Sequence, residues 1–223
     1  MILRAGAGLT IRTLPLGQAM ANCYVLTAPA AAGWAADDCW VVDPGEAPQD
    51  LLDLLEANKL NVRRIVLTHG HGDHIGGCGE VKALFPRALL TVPAADANML
   101  ESPMANLSGF FGMPITAPPA QELLQPDQTL SMGELSWRVL DLAGHSPGGS
   151  GYYCKQAEVA LTGDALFAGS VGRTDLPGGD HQRLLANIQR HLLSLPDATR
   201  ILPGHGPPST IGAQRRDNPF LQF

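Results

Sequence analysis

The chain is organised around the segment Thr68-His69-Gly70-His71-Gly72-Asp73-His74-Ile75-Gly76-Gly77. This segment places three histidines and one aspartate within six positions. Glycine is a poor helix former, so Gly70 and Gly72 predict a loop. In a loop, side chains two positions apart can converge on one ion, which assigns His69 and His71 to one metal ion and leaves Asp73 and His74 for a second. The alternative, a polar turn with solvated histidines, does not account for so dense a cluster.

Length and composition are those of an ordinary globular chain. Of the 223 residues, 45% are hydrophobic and 16% are charged, which is typical of a protein that is neither disordered nor membrane-spanning. We expect one domain over residues 1–223, because α/β domains often reach this size. The formal net charge of -6 argues against a nucleic-acid partner, since phosphate backbones are bound by an excess of lysine and arginine.

The N-terminal segment and the cysteines bear on the cellular compartment. Residues 1–16 contain no apolar run long enough for a secretory signal, so we expect a cytoplasmic protein that does not associate with membranes. Cys23, Cys39, Cys78 and Cys154 show neither CxxC spacing nor a dense framework. We therefore expect them to be reduced and buried, as small hydrophobic residues.

Apolar runs and turn signals predict alternating strands and helices. Strands are predicted at 9–14, 23–27, 40–42, 64–67, 88–92, 135–142, 152–154, 159–161 and 200–202, and residues 28–38 are predicted to form a turn. Helices are predicted at 48–58, at 80–85, and from the N-cap Asp180 to about Leu193. Asp43 follows a strand directly, and two interpretations stay open: an exposed turn residue or a hydrogen-bond acceptor for a ligand histidine.

Residues 101–121 differ from the rest because they are rich in proline and glycine. Long irregular segments in compact domains are usually functional or mobile. We interpret this segment as a loop that covers the site, with Phe110 and Phe111 as an apolar wall for substrate. The alternative is that both rings anchor the loop to the core.

Four of the predicted strands end just before a residue that can bind a metal ion. Leu67 precedes His69, Leu142 precedes His145, Leu161 precedes Asp164, and Leu202 precedes His205. Strand ends hold loop residues in register, so these side chains are expected to meet. A coherent assignment places His69, His71 and His145 at one ion and Asp73, His74 and His205 at the other, with Asp164 bridging the two.

The donor set indicates catalysis rather than structure. All seven predicted ligands offer nitrogen or oxygen, whereas structural zinc sites usually include cysteine thiolates. We expect two divalent metal ions, zinc first, with iron and manganese as alternatives that accept the same donors. Two such ions, about 3.5–4 Å apart, would share a bridging hydroxide near neutral pH.

These motifs resemble, in the same order, those of the metallo-β-lactamase superfamily. The resemblance rests on the histidine segment, Gly144-His145-Ser146-Pro147-Gly148, Thr162-Gly163-Asp164 and Pro203-Gly204-His205-Gly206. Two further stretches resemble the short bacterial type II glyoxalase-like hydrolases: Gly169-Ser170-Val171-Gly172-Arg173-Thr174-Asp175-Leu176-Pro177-Gly178-Gly179-Asp180 and Asn218-Pro219-Phe220-Leu221-Gln222.

The resemblance implies an α/β fold of four layers, the αββα sandwich, and hydrolysis of glutathione thioesters such as S-D-lactoylglutathione. Longer type II glyoxalases carry an additional C-terminal helical domain that contributes to glutathione binding, and we expect none here. The implied partner is a small-molecule thioester.

The mechanistic hypothesis is that the bridging hydroxide attacks the thioester carbonyl. Asp73, besides binding metal, orients the hydroxide and accepts its proton. Arg173 either pairs with a substrate carboxylate or braces its loop through Asp175.

Three rival functions stay open. A persulfide dioxygenase of the same superfamily uses one iron, held by the positions that match His69, His145 and Asp164. A lactonase or β-lactamase would direct the same nucleophile at an oxygen ester or an amide, and of these two the bridging position of Asp164 fits β-lactamases poorly. A metal-binding interaction module would bind metal without turnover.

Overall fold

The computed structural model describes residues 1–222. Its strands are β1 (Ile2–Arg4), β2 (Thr10–Leu16), β3 (Ala21–Thr27), β4 (Asp38–Val42), β5 (Asn61–Val66), β6 (Leu89–Pro93), β7 (Glu122–Leu124), β8 (Thr129–Met132), β9 (Leu135–Asp141), β10 (Ser150–Cys154), β11 (Val159–Gly163), β12 (Leu166–Phe167), β13 (Ser170–Val171), β14 (Arg200–Pro203) and β15 (Ser209–Thr210). Its α-helices are α1 (Gln49–Ala57), α2 (Gly72–Ile75), α3 (Cys78–Leu84), α4 (His181–Asn187) and α5 (Ile211–Asp217). A π-helical turn, Ile188–Leu192, prolongs α4, and 3-10 turns cover Gly6–Gly8, Ala94–Leu100, Ser108–Phe111 and Pro219–Leu221. The domain predicted for residues 1–223 ends with Phe223, which lies outside the described residues.

Two mixed sheets form the centre of the molecule. The first contains β1 to β7 in chain order, antiparallel from β1 to β4 and parallel from β4 to β7. The second has the order β15-β14-β11-β10-β9-β8, in which β11 and β14 are parallel and the other pairs antiparallel. β12 and β13 form a separate two-stranded ribbon.

Hydrophobic clusters separate the layers of the fold. One lies between the two sheets, where Trp40 of β4 and Trp137 of β9 pack with ring centroids 6.1 Å apart. A second joins the first sheet to α1 and α3, and a third joins the second sheet to α4 and α5. Removal of these apolar surfaces from water is the main force that holds the layers together. The layer order is helix, sheet, sheet, helix, which confirms the predicted αββα sandwich.

Strand β3 shows why the central strands read as continuous apolar runs. Cys23 and Val25 pack towards the helices, whereas Tyr24 and Leu26 pack towards the second sheet. Successive side chains of a strand point to opposite faces, and here both faces are covered. The strand therefore shows no alternation of polar and apolar residues.

The two longer predicted helices are confirmed. In α1, Leu51 and Leu55 lie four residues apart and pack into the cluster beneath the first sheet. Helix α4 begins after Asp180, whose carboxylate accepts the N–H of Arg183 at 3.0 Å and so caps the helix.

The prediction that the histidine segment is a loop throughout was wrong in part. Residues 69–71 are non-helical, but Gly72 begins the single turn α2, which carries Asp73 and His74. The helix penalty of glycine is only about 1 kcal/mol relative to alanine. Contacts that bury His74 and Ile75 outweigh it. Several short elements were also not predicted: β1, β7, β8, β12, β13, β15 and α5.

The cysteines and the helices agree with two further expectations. All four cysteines are buried and unpaired. Burial raises the pKa of the Cys39 thiol to about 12, so this thiol stays protonated at neutral pH. Among residues 1–222, the helices are all too short or too polar to cross a membrane.

Candidate metal centre

The predicted ligands meet where strands of both sheets end. His69 and His71 follow β5 of the first sheet. In the second sheet, His145 follows β9, Asp164 follows β11, and His205 follows the parallel neighbour of β11, β14. Rigid strands therefore fix the positions from which these loops start, as predicted.

Two groups of three donors lie at this edge. The ligand atoms of His69, His71 and His145 lie within 4.8 Å of one another. The same holds for the second group, which contains Asp73, His74 and His205. The structure thus forms the two triads that the sequence assignment proposed.

Asp164 lies between the two triads. Its Oδ2 is 3.6 Å from His145 Nε2 of the first triad and 3.5 Å from His205 Nε2 of the second. Its Oδ1 is 3.4 Å from His74 Nε2. A carboxylate in this position can share its oxygens between two cations.

Several donor atoms in the cluster have no hydrogen-bond partner. They are Nε2 of His69, His71 and His145 and Oδ1 of Asp164, all buried. A buried polar atom without a partner costs roughly 1–3 kcal/mol, so native structures rarely tolerate several together. A cation bound to these lone pairs would satisfy them, and the residues therefore fit a metal centre.

Hydrogen bonds to the second ring nitrogen orient the histidines. His145 Nδ1 donates to the carbonyl of Arg173 at 2.8 Å, and His205 Nδ1 donates to the carbonyl of Ala19 at 3.1 Å. These bonds place the proton on Nδ1 and leave Nε2 as the metal-binding nitrogen.

Asp43 is an orienting carboxylate, which resolves the alternatives left open for it. It is 1% exposed and accepts the backbone N–H and the hydroxyl of Thr68, both at 2.7 Å. It also accepts His74 Nδ1 at 3.0 Å, while the Thr68 hydroxyl accepts His69 Nδ1 at 3.0 Å. Asp43 lies close enough to His69 and His74 to form a third potential ligand group. Because its oxygens already accept these hydrogen bonds, we assign it to orienting the ligands.

Asp96 supports the site and was missed by sequence reasoning. This fully buried carboxylate accepts the N–H of Gly70 at 3.1 Å, the hydroxyl of Ser146 at 2.7 Å and the N–H of Gly148 at 2.6 Å. It therefore joins the loop of His69 and His71 to the loop of His145. The one available signal was its place just beyond β6, because other site residues also follow strand ends.

The two triads differ in their electrostatics. Burial and neighbouring histidines lower the pKa of His69 and lower that of His71 to about 3. Burial alone would also lower the pKa of His74, but Asp73, Asp164 and Asp43 override it and raise the value to about 10. Burial would likewise lower the pKa of His205, but Asp73 and Asp164 outweigh this effect and raise it. In the second triad, burial would raise the pKa of Asp73, but the nearby histidines hold it well below its usual range.

Close backbone packing surrounds the ligands. A Cβ on Gly204 would overlap Asp164 Oδ1 and would lie 2.8 Å from His74 Cε1. Gly163, at φ +48°, would direct a Cβ into Thr68 at 2.7 Å. Both glycines allow the ligand turns to approach each other more closely than residues with a side chain would.

A cavity of about 700 Å³ opens onto the cluster. His71, Asp73, His145, Asp164 and His205 form its polar floor. Its apolar wall comes from residues 101–121 and from the segment after β11, and consists of Leu107, Phe111, Met113, Phe167, Val171 and Leu176.

The predicted substrate-binding residues are placed differently. Phe111 lines the cavity, whereas Phe110 is exposed and is not among the lining residues. Neither ring anchors the loop to the core, since both are exposed to solvent. Arg173 also lines the cavity, but it forms a two-pronged ion pair with Asp175 at 2.8 and 2.9 Å, which supports the interpretation as a loop brace.

The chain is similar to known proteins in both sequence and structure. The sequence profile described as "Metallo-beta-lactamase superfamily" matches residues 16–205. Hydroxyacylglutathione hydrolase GloC of Haemophilus influenzae is 33% identical over 216 residues, which cover 96% of this chain and 98% of GloC.

Two solved structures share the whole architecture. The crystal structure of BLEG-1 B3 metallo-beta-lactamase superposes with a TM-score of 0.89 at 38% identity and covers 96% of this chain and 100% of that one. The crystal structure of TTHA1623 in a di-iron-bound form superposes with a TM-score of 0.81 at 35% identity and covers 94% and 100%.

Proposed function

The chain belongs to the metallo-β-lactamase superfamily as a metal-dependent hydrolase, and from this premise we propose that it hydrolyses small-molecule thioesters with two bound metal ions. One observation carries the proposal: two triads of donors flank Asp164 and face a cavity, while four buried donor atoms of this cluster lack a hydrogen-bond partner. Zinc is the expected metal. Iron fits the same donors, and the related TTHA1623 has been solved with two irons.

The proposed metal ligands are those named from the sequence. His69, His71 and His145 would hold one ion, Asp73, His74 and His205 the other, and Asp164 both. When bound, such a pair of ions generates hydroxide from water near neutral pH and polarises the substrate carbonyl.

The side chains of the site would then direct the reaction. Asp73 is partly exposed to the cavity and lies 3.2 Å from His205 Nε2, so its carboxylate can accept a hydrogen bond from a water molecule and orient it. Because the nearby histidines hold the pKa of Asp73 well below its usual range, it is a weaker proton acceptor than the sequence predicts. Asp43 and Asp96 hold the histidine ligands and their loops in position. The apolar wall would keep water away from the part of the substrate that it covers.

The chemistry of the leaving group favours thioesters over amides. A thiolate departs as an anion, whereas an amide nitrogen must be protonated as it leaves. The described cavity wall contains no lysine, tyrosine or cysteine, so this proton would have to come from a carboxyl group of the site or from water, whereas a thiolate needs no such donor. The similarity to GloC supports the same reaction class.

Hydrolysis of β-lactams is the second candidate, and the similarity to BLEG-1 favours it. The two candidates differ in the atom that leaves, which is sulfur in one and amide nitrogen in the other. Turnover of a chromogenic cephalosporin therefore separates them.

The test is steady-state hydrolysis by zinc-loaded protein of S-D-lactoylglutathione, an uncharged thioester, a lactone and the cephalosporin. We expect thioester turnover that depends on metal. The His71→Ala variant should lose more than about hundredfold in kcat/KM, since even loss of a residue that supports a ligand costs roughly 10–100-fold. The exposed His181 of α4 supplies the control, because His181→Ala should retain activity.

Other outcomes would overturn the proposal. Full activity of His71→Ala would contradict the two-metal assignment. Oxygen uptake with glutathione persulfide by protein that holds one iron would identify a dioxygenase. Preferred lactone or cephalosporin turnover would identify those hydrolases, and bound metal without any turnover would identify a binding module.

A further inference from the structure

Apart from the proposed metal ligands, few charged side chains line the cavity. Among residues 1–222, the charged side chains that line it are Glu46 and Arg173, apart from the ligands themselves. Glu46 is partly buried at the cavity rim, where its side chain packs against Gly17 and Gly76. A fixed carboxylate at this place repels anionic groups of a substrate.

The guanidinium of Arg173 is already engaged. Its Nε and one terminal nitrogen donate to both oxygens of Asp175, at 2.8 and 2.9 Å. A two-pronged pair of this kind uses the planar face with which arginine binds carboxylates. The cavity therefore offers no unpaired guanidinium or ammonium group, within the described residues, to a substrate carboxylate.

The apolar part of the wall is both extensive and exposed. Phe111 and Met113 are 65% and 44% exposed and lie at its edge, with Leu107 and Phe167 further in. Removal of apolar surface from water is favourable and grows with the area removed. An apolar group of a ligand would remove part of this surface from water.

Hydrogen bonds hold the wall in place. The Asn106 amide donates to the carbonyls of Met99 and Ile115, both at 2.9 Å, and its oxygen accepts the N–H and hydroxyl of Ser108. Between them, Leu107 adopts a left-handed conformation at φ 70°, which leucine rarely takes. Backbone strain of this kind persists where the surroundings over-determine it, often at a ligand clamp. The wall is therefore pre-organised before a ligand arrives.

We propose that this cavity selects thioesters whose thiol half is uncharged and apolar, in preference to thioesters of glutathione. Glutathione carries two carboxylates and one ammonium group. Glu46 would repel both carboxylates and attract only the ammonium group, Arg173 is already paired with Asp175, and the rest of the wall is apolar. An uncharged alkyl amide would instead cover Phe111 and Met113. This inference rests on the proposed thioesterase function and assigns its substrate class.

The test compares three thioesters that share the D-lactoyl group. Their thiol halves are glutathione, N-acetylcysteamine and N-hexanoylcysteamine, of which the last is uncharged and longer by four methylenes. We expect kcat/KM for the hexanoyl compound to exceed that for the glutathione compound by at least about tenfold, because a single methylene in an apolar pocket is worth about 10-fold or more.

Two pairs of variants, each with a matched control, test which residues cause the preference for the hexanoyl compound over the glutathione compound. Met113→Ala should reduce the preference for the hexanoyl compound severalfold, whereas Met104→Ala should not, since Met104 is 55% exposed in the same segment but lies outside the cavity. Glu46→Gln should raise kcat/KM for the glutathione compound, whereas Glu56→Gln, on the exposed side of α1, should not.

A binding measurement on metal-free protein gives a readout independent of turnover. Calorimetric titration would use the S-methyl thioethers of N-hexanoylcysteamine and of glutathione, neither of which can be hydrolysed. We expect the hexanoyl thioether to bind at least about tenfold more tightly than the glutathione thioether, and Met113→Ala to weaken the binding of the hexanoyl thioether.

The outcomes distinguish a failure of the proposed thioesterase function from a failure of the proposed substrate class. If metal-loaded protein hydrolyses none of the thioesters, the proposed function fails. If it hydrolyses them but prefers the glutathione compound, or binds S-methylglutathione as tightly as the alkyl amide, the substrate assignment fails and the thioesterase stands.

Discussion

Asp96 binds no candidate metal position directly, yet it holds two ligand loops together. Its Oδ2 accepts Gly70 N–H and the Ser146 hydroxyl, while its Oδ1 accepts Gly148 N–H. Burial raises its pKa, and these hydrogen bonds counteract the rise. The geometry of the first triad thus depends on a residue outside it.

Replacing Asp96 with asparagine tests this dependence. Whichever way the amide is turned, its NH₂ faces one backbone N–H, of Gly70 or Gly148, and that donor loses its acceptor. We expect zinc affinity to fall roughly 10–100-fold, measured by competition with a chromophoric chelator. Asp50→Asn, on the exposed face of α1, is the control. Unchanged zinc affinity in Asp96→Asn would show that the ligand loops keep their positions without these hydrogen bonds.

The opposite pKa shifts of the histidines predict that the two ions leave at different pH values. In metal-free protein, the raised pKa values of His74 and His205 mean that protons compete with a cation at the second triad. The lowered pKa values of His69 and His71, about 3 for His71, weaken this competition at two of the three ligands of the first triad. As pH falls from about 8 to 5, zinc content after dialysis should drop from two per chain to one. Simultaneous loss of both ions would contradict this.

At the scale of elements, the turn after β14 sets how closely His205 approaches the other ligands. A Cβ on Gly204 would occupy the space of Asp164 Oδ1. We expect Gly204→Ala to lose bound zinc by elemental analysis while retaining the far-ultraviolet circular dichroism of the fold. Gly79 of α3 has no atom within 4 Å of such a Cβ, so Gly79→Ala should keep both ions and stabilise the helix by about 1 kcal/mol. Two zinc ions in Gly204→Ala would refute the packing argument.

The segment 101–121 depends on Asn106 for its shape. Asn106→Ala removes four hydrogen bonds and leaves the carbonyls of Met99 and Ile115 without these donors. Each unmade bond costs roughly 1–3 kcal/mol, so the segment should open locally and be cleaved faster by protease. We also expect KM for an apolar thioester to rise more than kcat falls. The control is Asn58→Ala, which removes one exposed hydrogen bond at the end of α1. Equal rates of protease cleavage in Asn106→Ala and the wild type would show that the hydrogen bonds of Asn106 do not hold the segment in place.

Elements that deliver ligands were predictable because their signals are local. An apolar run followed at once by His145, Asp164 or His205 marks both the strand and its functional end. The short strands β7, β8 and β15 have three, four and two residues, too few for a periodic pattern to emerge. The turn α2 escaped prediction because tertiary contacts, absent from any local window, outweigh the preference of glycine.

For the whole molecule, the layer order followed from the resemblance of motifs rather than from periodicity. Strands such as β3 are covered on both faces, so their sequences do not say which residue faces which layer. The two carboxylates that support the ligands, Asp43 and Asp96, also differ in how far they could be predicted from the sequence. Asp43 directly follows the strand β4, which marks it as a possible site residue, whereas Asp96 contacts Gly70, Ser146 and Gly148, which lie 26, 50 and 52 residues away in the sequence.

The proposed function requires two cations at one edge of the paired sheets, one in each triad, with Asp164 between them. A crystal structure of zinc-loaded protein with anomalous diffraction at the zinc edge locates them directly. We expect two peaks about 3.5–4 Å apart, one bound by His69, His71 and His145 and the other by Asp73, His74 and His205. A single peak in fully loaded crystals, or peaks away from these side chains, would contradict it.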